Sequence, residues 1–291
     1  MPSCVADGIE THYEVLGSGE PLLMLSPGDF DATADKWSTQ SIYAKVRFLE
    51  HLPKHYSCIV FDRRETGRSG GRVETLTWSC YAAQGKGLLE HLGIARAHLM
   101  GGCMGCSPVM ALAVQHPETV QSMVLYWPVG GAKYRINNQQ RFANHLDYVE
   151  SHDLAAVAEL ALVSGKTFGE DPRGGPWASV LRRDPAFAAE FAALEREAYK
   201  RIVVETSRAL FDRDTAPGAE PEELMRLDTP ALIIPGRDAS HATSAARYVE
   251  ECLAHSQYWD VPPDGQTESS APARVLAFLQ DQGAGLPSAS G

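Results

Sequence analysis

Cys103 is the residue whose surroundings most suggest chemistry. It stands in Gly101-Gly102-Cys103-Met104-Gly105-Cys106-Ser107-Pro108, after an apolar run with strand character (Ala97 to Met100) and before a buried helical run (Pro108 to Val114). A strand that turns sharply into a helix holds its central residue in a strained backbone conformation, so the neighbours must be small. Gly101, Gly102 and Gly105 meet that need. The same arrangement sets the thiol at a helix N-terminus, whose positive end favours the nucleophilic thiolate. Two other readings stay open: a glycine-rich turn around a structural cysteine, and a redox dithiol, since Cys103 and Cys106 have C-x-x-C spacing. A zinc site needs more ligands, and no second such pair is present.

The elements that must hold Cys103 follow from the pattern of the chain. Short buried strands are expected at Ile9–Val15, Pro21–Leu25, Tyr56–Phe61, Ala97–Met100, Val120–Trp127, Ala231–Pro235 and Gln257–Val261. Helices are expected at Ser41–Leu52, Trp78–Leu92, after Cys103, at Thr243–Leu253 and at Pro272–Gln280. Strands alternating with helices argue for an α/β fold with a mostly parallel central sheet covered by helices on both faces. Ligands of such sheets bind at the carboxyl ends of the strands. Between about Ala132 and Leu227 the strand signal vanishes and an Ala-, Glu- and Arg-rich helical pattern replaces it. The expected organisation is therefore a core from 1–131 and 228–283, a helical cap from 132–227, and a loose tail from 284–291.

Composition narrows the function classes. The 291 residues are 44% hydrophobic and 22% charged, as in a soluble globular protein. A formal net charge of −11 argues against nucleic acid or an anionic membrane as a partner. The sequence has no apolar run of membrane-spanning length and no basic-then-apolar leader at Met1-Pro2-Ser3-Cys4. With six scattered cysteines, the expected setting is the cytoplasm. No metal-ligand spacing, P-loop or dinucleotide motif appears, so no cofactor is expected.

The chain resembles the α/β-hydrolase superfamily over nearly its full length. The likeness rests on Ser26-Pro27-Gly28, the turn Asp62-Arg63-Arg64-Glu65-Thr66-Gly67-Arg68-Ser69, the Cys103 segment as a nucleophile elbow, and Ile234-Pro235-Gly236-Arg237-Asp238. The resemblance implies that Cys103 is the nucleophile and Asp238 the acid. It implies an oxyanion hole from the N–H of Met104 and one from Gly28 or Asp29, since Pro27 has none. Three departures stand out. The nucleophile is cysteine, Glu65 replaces a favoured glycine, and the family's histidine falls at Gln266, which cannot accept a proton. His241, three residues after Asp238, could swing toward Cys103 or could simply start a helix facing water; His145 is the next candidate.

The resemblance also implies that the cap roofs the pocket. Trp177, Phe168, Phe187, Phe191 and Tyr199 of the cap, with Trp127 and Phe30 below, suggest an apolar or aromatic small-molecule substrate, or else merely pack the cap. Arg135, Arg141, Arg182 and Arg183 could receive a carboxylate or be solvated. The expected function is cysteine-dependent chemistry on an acyl carbon: ester, thioester or lactone hydrolysis, or acyl transfer. Asp238 with His241 or Gln266 would tune the thiol and the water. The alternatives are a non-catalytic ligand-binding protein on the same scaffold and a non-hydrolytic lyase or cyclisation catalyst.

Overall fold

A computed structural model describes residues 2–283; the tail expected at 284–291 lies outside the described residues. The strands are β1 (Ser3–Ala6), β2 (Ile9–Leu16), β3 (Glu20–Leu25), β4 (Tyr56–Phe61), β5 (Ala97–Gly102), β6 (Val120–Tyr126), β7 (Ala231–Ile234) and β8 (Ser256–Tyr258). They form one sheet in the order β1-β2-β4-β3-β5-β6-β7-β8. The β1–β2 and β2–β4 pairs are antiparallel, and every later pairing is parallel. β5, β6 and β7 are buried at every position, as a sheet covered on both faces requires.

The first helical stretch differs from the single helix expected over Ser41–Leu52. After α1 (Lys36–Thr39), the chain forms α2 (Ser41–Val46), breaks at Arg47 with φ 55°, and restarts as α3 (Phe48–His51). The left-handed residue turns the chain so that Trp37 packs edge-on to both Tyr43 and Phe48, with ring centroids 5.2 and 6.2 Å apart. α4 (Trp78–His91) and α5 (Cys106–Gln115) pack on each other beside the sheet. Thr77 caps α4 by accepting from the Cys80 N–H.

Between β6 and β7 run α6 (Ala132–Ser151), α7 (Leu154–Ser164), α8 (Ala178–Arg183), α9 (Pro185–Ala192), α10 (Arg196–Leu210) and α11 (Pro221–Leu224). Asp153, Asp184 and Glu195 cap α7, α9 and α10 with their carboxylates. The aromatics of this insertion, Phe142, Phe168, Phe191, Trp177 and Tyr199, are fully buried and continuous with the core of the sheet, where Phe30 packs on Phe142 and Phe168. α12 (Thr243–Cys252) and α13 (Ser270–Gly283) complete the helical cover. No helix among the described residues is long and apolar enough to cross a membrane.

Candidate active site

Cys103 begins a single 3-10 turn between β5 and α5 and has φ 53°. That left-handed backbone is unfavourable for a residue with a side chain. It persists because close packing fixes the turn. A Cβ on Gly105 would stand 2.2 Å from the Leu25 carbonyl oxygen, so the turn has no room for one. Behind it, the Cys106 thiol donates to the carbonyls of Gly101 (3.2 Å) and Tyr126 (3.5 Å). Burial pushes that thiol well up, and all six cysteines are free. The spacing of Cys103 and Cys106 thus serves packing in this structure. Cys103 itself is 6% exposed and lines a cleft of about 350 Å³ at the carboxyl ends of the strands.

His241 lines the same cleft. Two local features curl its loop back to the thiol. The Asp238 carboxylate accepts from the backbone N–H groups of Ser240 (2.8 Å) and His241 (2.9 Å). The loop also pairs with Gly130 beyond β6, through Gly130 N–H to Ser240 O at 3.0 Å and Ala242 N–H to Gly130 O at 3.3 Å. His241 Nδ1 then lies 2.8 and 2.9 Å from the two Asp238 carboxylate oxygens. Nε2 is buried without a hydrogen-bond partner, and the imidazole interacts with Cys103 across the cleft that both line.

Burial opposes a charge on His241. The interaction with Cys103 and the bond to Asp238 outweigh it and raise the imidazole to about 10. Asp238, held first by its hydrogen bond with His241, is lowered to about 2. The two shifts define a stability window. The Asp238 contribution is complete above its ordinary 3.8 and lost as pH falls to about 2. The His241 contribution is complete below its ordinary 6.5 and lost as pH rises to about 10. The urea midpoint of the wild type minus that of His241→Gln is therefore expected to peak between about pH 4 and 6.5. A difference that stays flat from pH 3 to 9 would contradict this coupling.

Gln266 departs from its expected place in the chemistry. Its side chain is fully buried and its hydrogen-bonding capacity is spent on protein. Oε1 accepts from Tyr126 O–H and Trp127 Nε1–H, both at 2.7 Å. Nε2 donates to the carbonyls of Pro235 (3.0 Å) and Val261 (2.8 Å). A side chain so engaged has nothing left for a water or the thiol. It ties the ends of β6, β7 and β8 together instead. Trp127, itself at φ 57°, is fixed by it and lies with its ring 5.3 Å from that of His241.

Of the expected oxyanion donors, Met104 follows Cys103 in the turn and Gly28 lines the cleft. Met104 N–H belongs to the first residues of the turn after Cys103, which have no acceptor within the helix. Gly28 and Asp29 line the cleft with Cys103. Gly28 has φ 111°, and a Cβ there would sit 2.8 Å from the Asp31 carbonyl oxygen. Glu65, at φ 66°, points its carboxylate to Arg64 (2.9 Å) and away from the cleft.

The insertion departs from expectation at two positions. His145 is buried between Tyr199 O–H (2.6 Å) and the Arg173 carbonyl (3.0 Å), and burial lowers it to about 4. Trp177 is buried with its Nε1–H on the Arg72 carbonyl (2.9 Å). Neither lines the cleft, because each completes the core of the insertion. The expected aromatic lining reduces to Phe30, alongside polar Lys36, Gln40, Thr167, Glu170 and Ser240. Sequence reasoning missed these polar positions, which lie on loops or, for Lys36, at the start of the one-turn helix α1, with no pattern of their own. Of the four arginines, Arg135 pairs with Asp214 and Arg183 donates to Ser69 O, both at 2.6 Å, while Arg182 donates to Ser179 Oγ (3.2 Å). Arg141 reaches the cleft residue Asp29 at 3.2 Å. No group of three or more His, Cys, Asp or Glu among the described residues is arranged to hold a metal.

Residues 28–155 match the family model of the alpha/beta hydrolase fold. The proline iminopeptidase of Xylella fastidiosa (strain Temecula1) is 28% identical over 179 residues, 55% of this chain and 54% of that protein. The 2-hydroxy-6-oxo-6-phenylhexa-2,4-dienoate hydrolase of Comamonas testosteroni is 32% identical over 120 residues, 41% of this chain and 40% of that protein. The chain thus spans about half the length, or less, of these curated relatives. Among solved structures, the enol-lactonase from Burkholderia xenovorans LB400 superposes with TM-score 0.61 at 21% identity, over 96% of this chain and all of that one. A hydrolase from Pseudomonas aeruginosa PA01 gives 0.63 at 22% identity, over 96% and 97%. Sheet order, the strained turn at the end of β5 and these likenesses converge: the chain carries the α/β-hydrolase fold, the superfamily whose model its residues 28–155 match.

Proposed function

We propose that the protein is a cysteine hydrolase of small acyl substrates, with Cys103 as nucleophile, His241 as acid and base, and Asp238 holding the imidazole. The observation that carries this reading is the bond of His241 Nδ1 to Asp238 at 2.8 Å, with Nε2 left free beside the Cys103 sulfur. The thiolate attacks the acyl carbon, and the N–H groups of Met104 and of Gly28 or Asp29 hold the oxyanion. The bond to the leaving group breaks as that group takes the Nε2 proton of His241. Acylation also removes the thiolate charge that had raised His241. The now neutral imidazole accepts a proton from water, whose oxygen attacks the thioester. Cys103 leaves as thiolate, the acid product departs, and the imidazolium is restored.

Hydrolysis is favoured over a binding-only role because the histidine missing at Gln266 has a counterpart on the Asp238 loop. Named hydrolases among the relatives support the class, and the cleft of about 350 Å³ supports a small substrate. The test is intact mass after mixing with a short-chain 4-nitrophenyl ester. A transient acyl adduct with steady nitrophenol release is expected for the wild type, and neither for Cys103→Ala. Turnover that survives in Cys103→Ala would overturn the reading.

A further inference from the structure

Next to Cys103 is a group of buried polar atoms that the acyl chemistry does not use. Arg63 follows β4, and Tyr134 lies in the first turn of α6 after β6, so both leave the same end of the sheet as Cys103. Arg63 is 4% exposed and Tyr134 2%. The Arg63 guanidinium donates through Nη2 to the Asp29 carbonyl and lies over the Tyr81 ring, 4.3 Å from its centroid. Its Nε and Nη1 have no partner, and neither has the Tyr134 hydroxyl. Burial holds that hydroxyl well above its ordinary value, so it stays a donor; Asp29, Cys103, Arg63 and Arg141 all act on it electrostatically. Buried donors without acceptors, two of the three on a cation, are costly features that a protein keeps for a reason.

Arg141 pairs with the Asp29 carboxylate at 3.2 Å. The Glu65 carboxylate, bonded to Arg64 at 2.9 Å, acts on Arg63 through space and leaves its Nε and Nη1 without a hydrogen bond. Buried rings in contact lead from the cleft residue Phe30 to Tyr134: Phe30 lies 6.3 Å from Phe211, and Phe211 lies 5.6 Å from Tyr134, between ring centroids.

We propose that Arg63 and Tyr134, with Arg141 beside them, receive a carboxylate at the far end of the acyl chain, so that the preferred substrate is the ester or lactone of a short dicarboxylic acid. This rests on the Cys103 reading for the reactive end and adds the recognition of the other. The carboxylate accepts from Arg63 and Tyr134 while the methylene chain lies against Phe30.

The test compares mono-4-nitrophenyl glutarate with 4-nitrophenyl pentanoate, which has the same chain length but no charge. The wild type is expected to prefer the glutarate in kcat/KM by about ten- to a hundredfold. Tyr134→Phe should lose most of that preference while keeping activity on the pentanoate; Arg63→Met should lose it too, on top of a loss shared by both esters, because Arg63 also holds the Asp29 carbonyl. Tyr134→Phe removes one oxygen and guards against misfolding of the arginine variant. In parallel, calorimetry with glutarate and with pentanoate, on wild type and both variants, gives a readout without turnover. Glutarate binding that is selective and falls in the variants sustains the proposal even if neither ester reacts, a result that would sink only the Cys103 reading. Equal kcat/KM for the two esters, or glutarate binding unchanged in both variants, overturns it and leaves buried water as the occupant.

Discussion

His241→Gln is expected to turn a catalyst into a trap. 4-Nitrophenolate leaves without needing a proton, so the nitrophenol burst should still appear, slower because the imidazolium no longer favours the thiolate. Deacylation needs a proton taken from water, and glutamine cannot take it. The steady-state rate should fall by about a thousandfold, with the acyl mass retained for minutes on Cys103. Burst amplitude near one per protein with a slow second phase is the signature. Asp238→Asn should give a weaker version, because the imidazole remains but loses the partner 2.8 Å from Nδ1 that orients it. If His241→Gln lost burst and steady state equally, the imidazole would be needed for attack, and the resting ion pair with Cys103 would be wrong. An unchanged steady state would require a base elsewhere.

Much of the fold could be read from local pattern. β4 appears at Tyr56–Phe61 as expected, and β3, β6 and β7 differ from expectation by a residue at one end. These strands are buried on both faces, so their sequences are continuous apolar runs. β1 was missed because it is short and alternates only weakly. The available signal was Asp7-Gly8, whose φ values of 51° and 71° make the tight turn into β2. The break at Arg47 was not legible, since it follows from the packing of Trp37, Tyr43 and Phe48 across three short helices.

The site was legible where the backbone demands a residue type and obscure where tertiary contacts decide. Gly105 announces itself because the turn has no room for a Cβ there, and a nucleophilic side chain amid such small residues draws attention to Cys103. The orientation of His241 depends on Gly130, more than a hundred residues away, and no local spacing reports that pairing. His145 and Trp177 look like pocket residues in sequence because a buried polar aromatic in a helical insertion has the same signature whether it faces a ligand or a core. The Arg63 donors could not be foreseen, since only the fold shows which guanidinium is left without an acceptor.

Gln266 provides the second large effect, and it concerns architecture more than proton transfer. Gln266→Leu keeps the bulk but strands four buried groups: Tyr126 O–H, Trp127 Nε1–H and the carbonyls of Pro235 and Val261. At about 1–1.5 kcal/mol for each, the loss should be about 4–6 kcal/mol, a fall in Tm on the order of 10 °C. Gln266→Glu should not rescue it. Its carboxylate could accept from Tyr126 and Trp127, but its other oxygen would face the Pro235 and Val261 carbonyls unless it bound a proton. Because the Trp127 ring rests 5.3 Å from His241, the folded fraction of Gln266→Leu should also lose up to about a hundredfold in kcat with KM little changed. Thermal unfolding together with kcat and KM per folded molecule separates the two losses. A variant with wild-type stability would mean that the four bonds contribute nothing net. One with normal kcat once folded would show that the tryptophan does not position the imidazole. The two outcomes together decide whether glutamine stands at this position to hold the strand ends, to aim the histidine, or to do both.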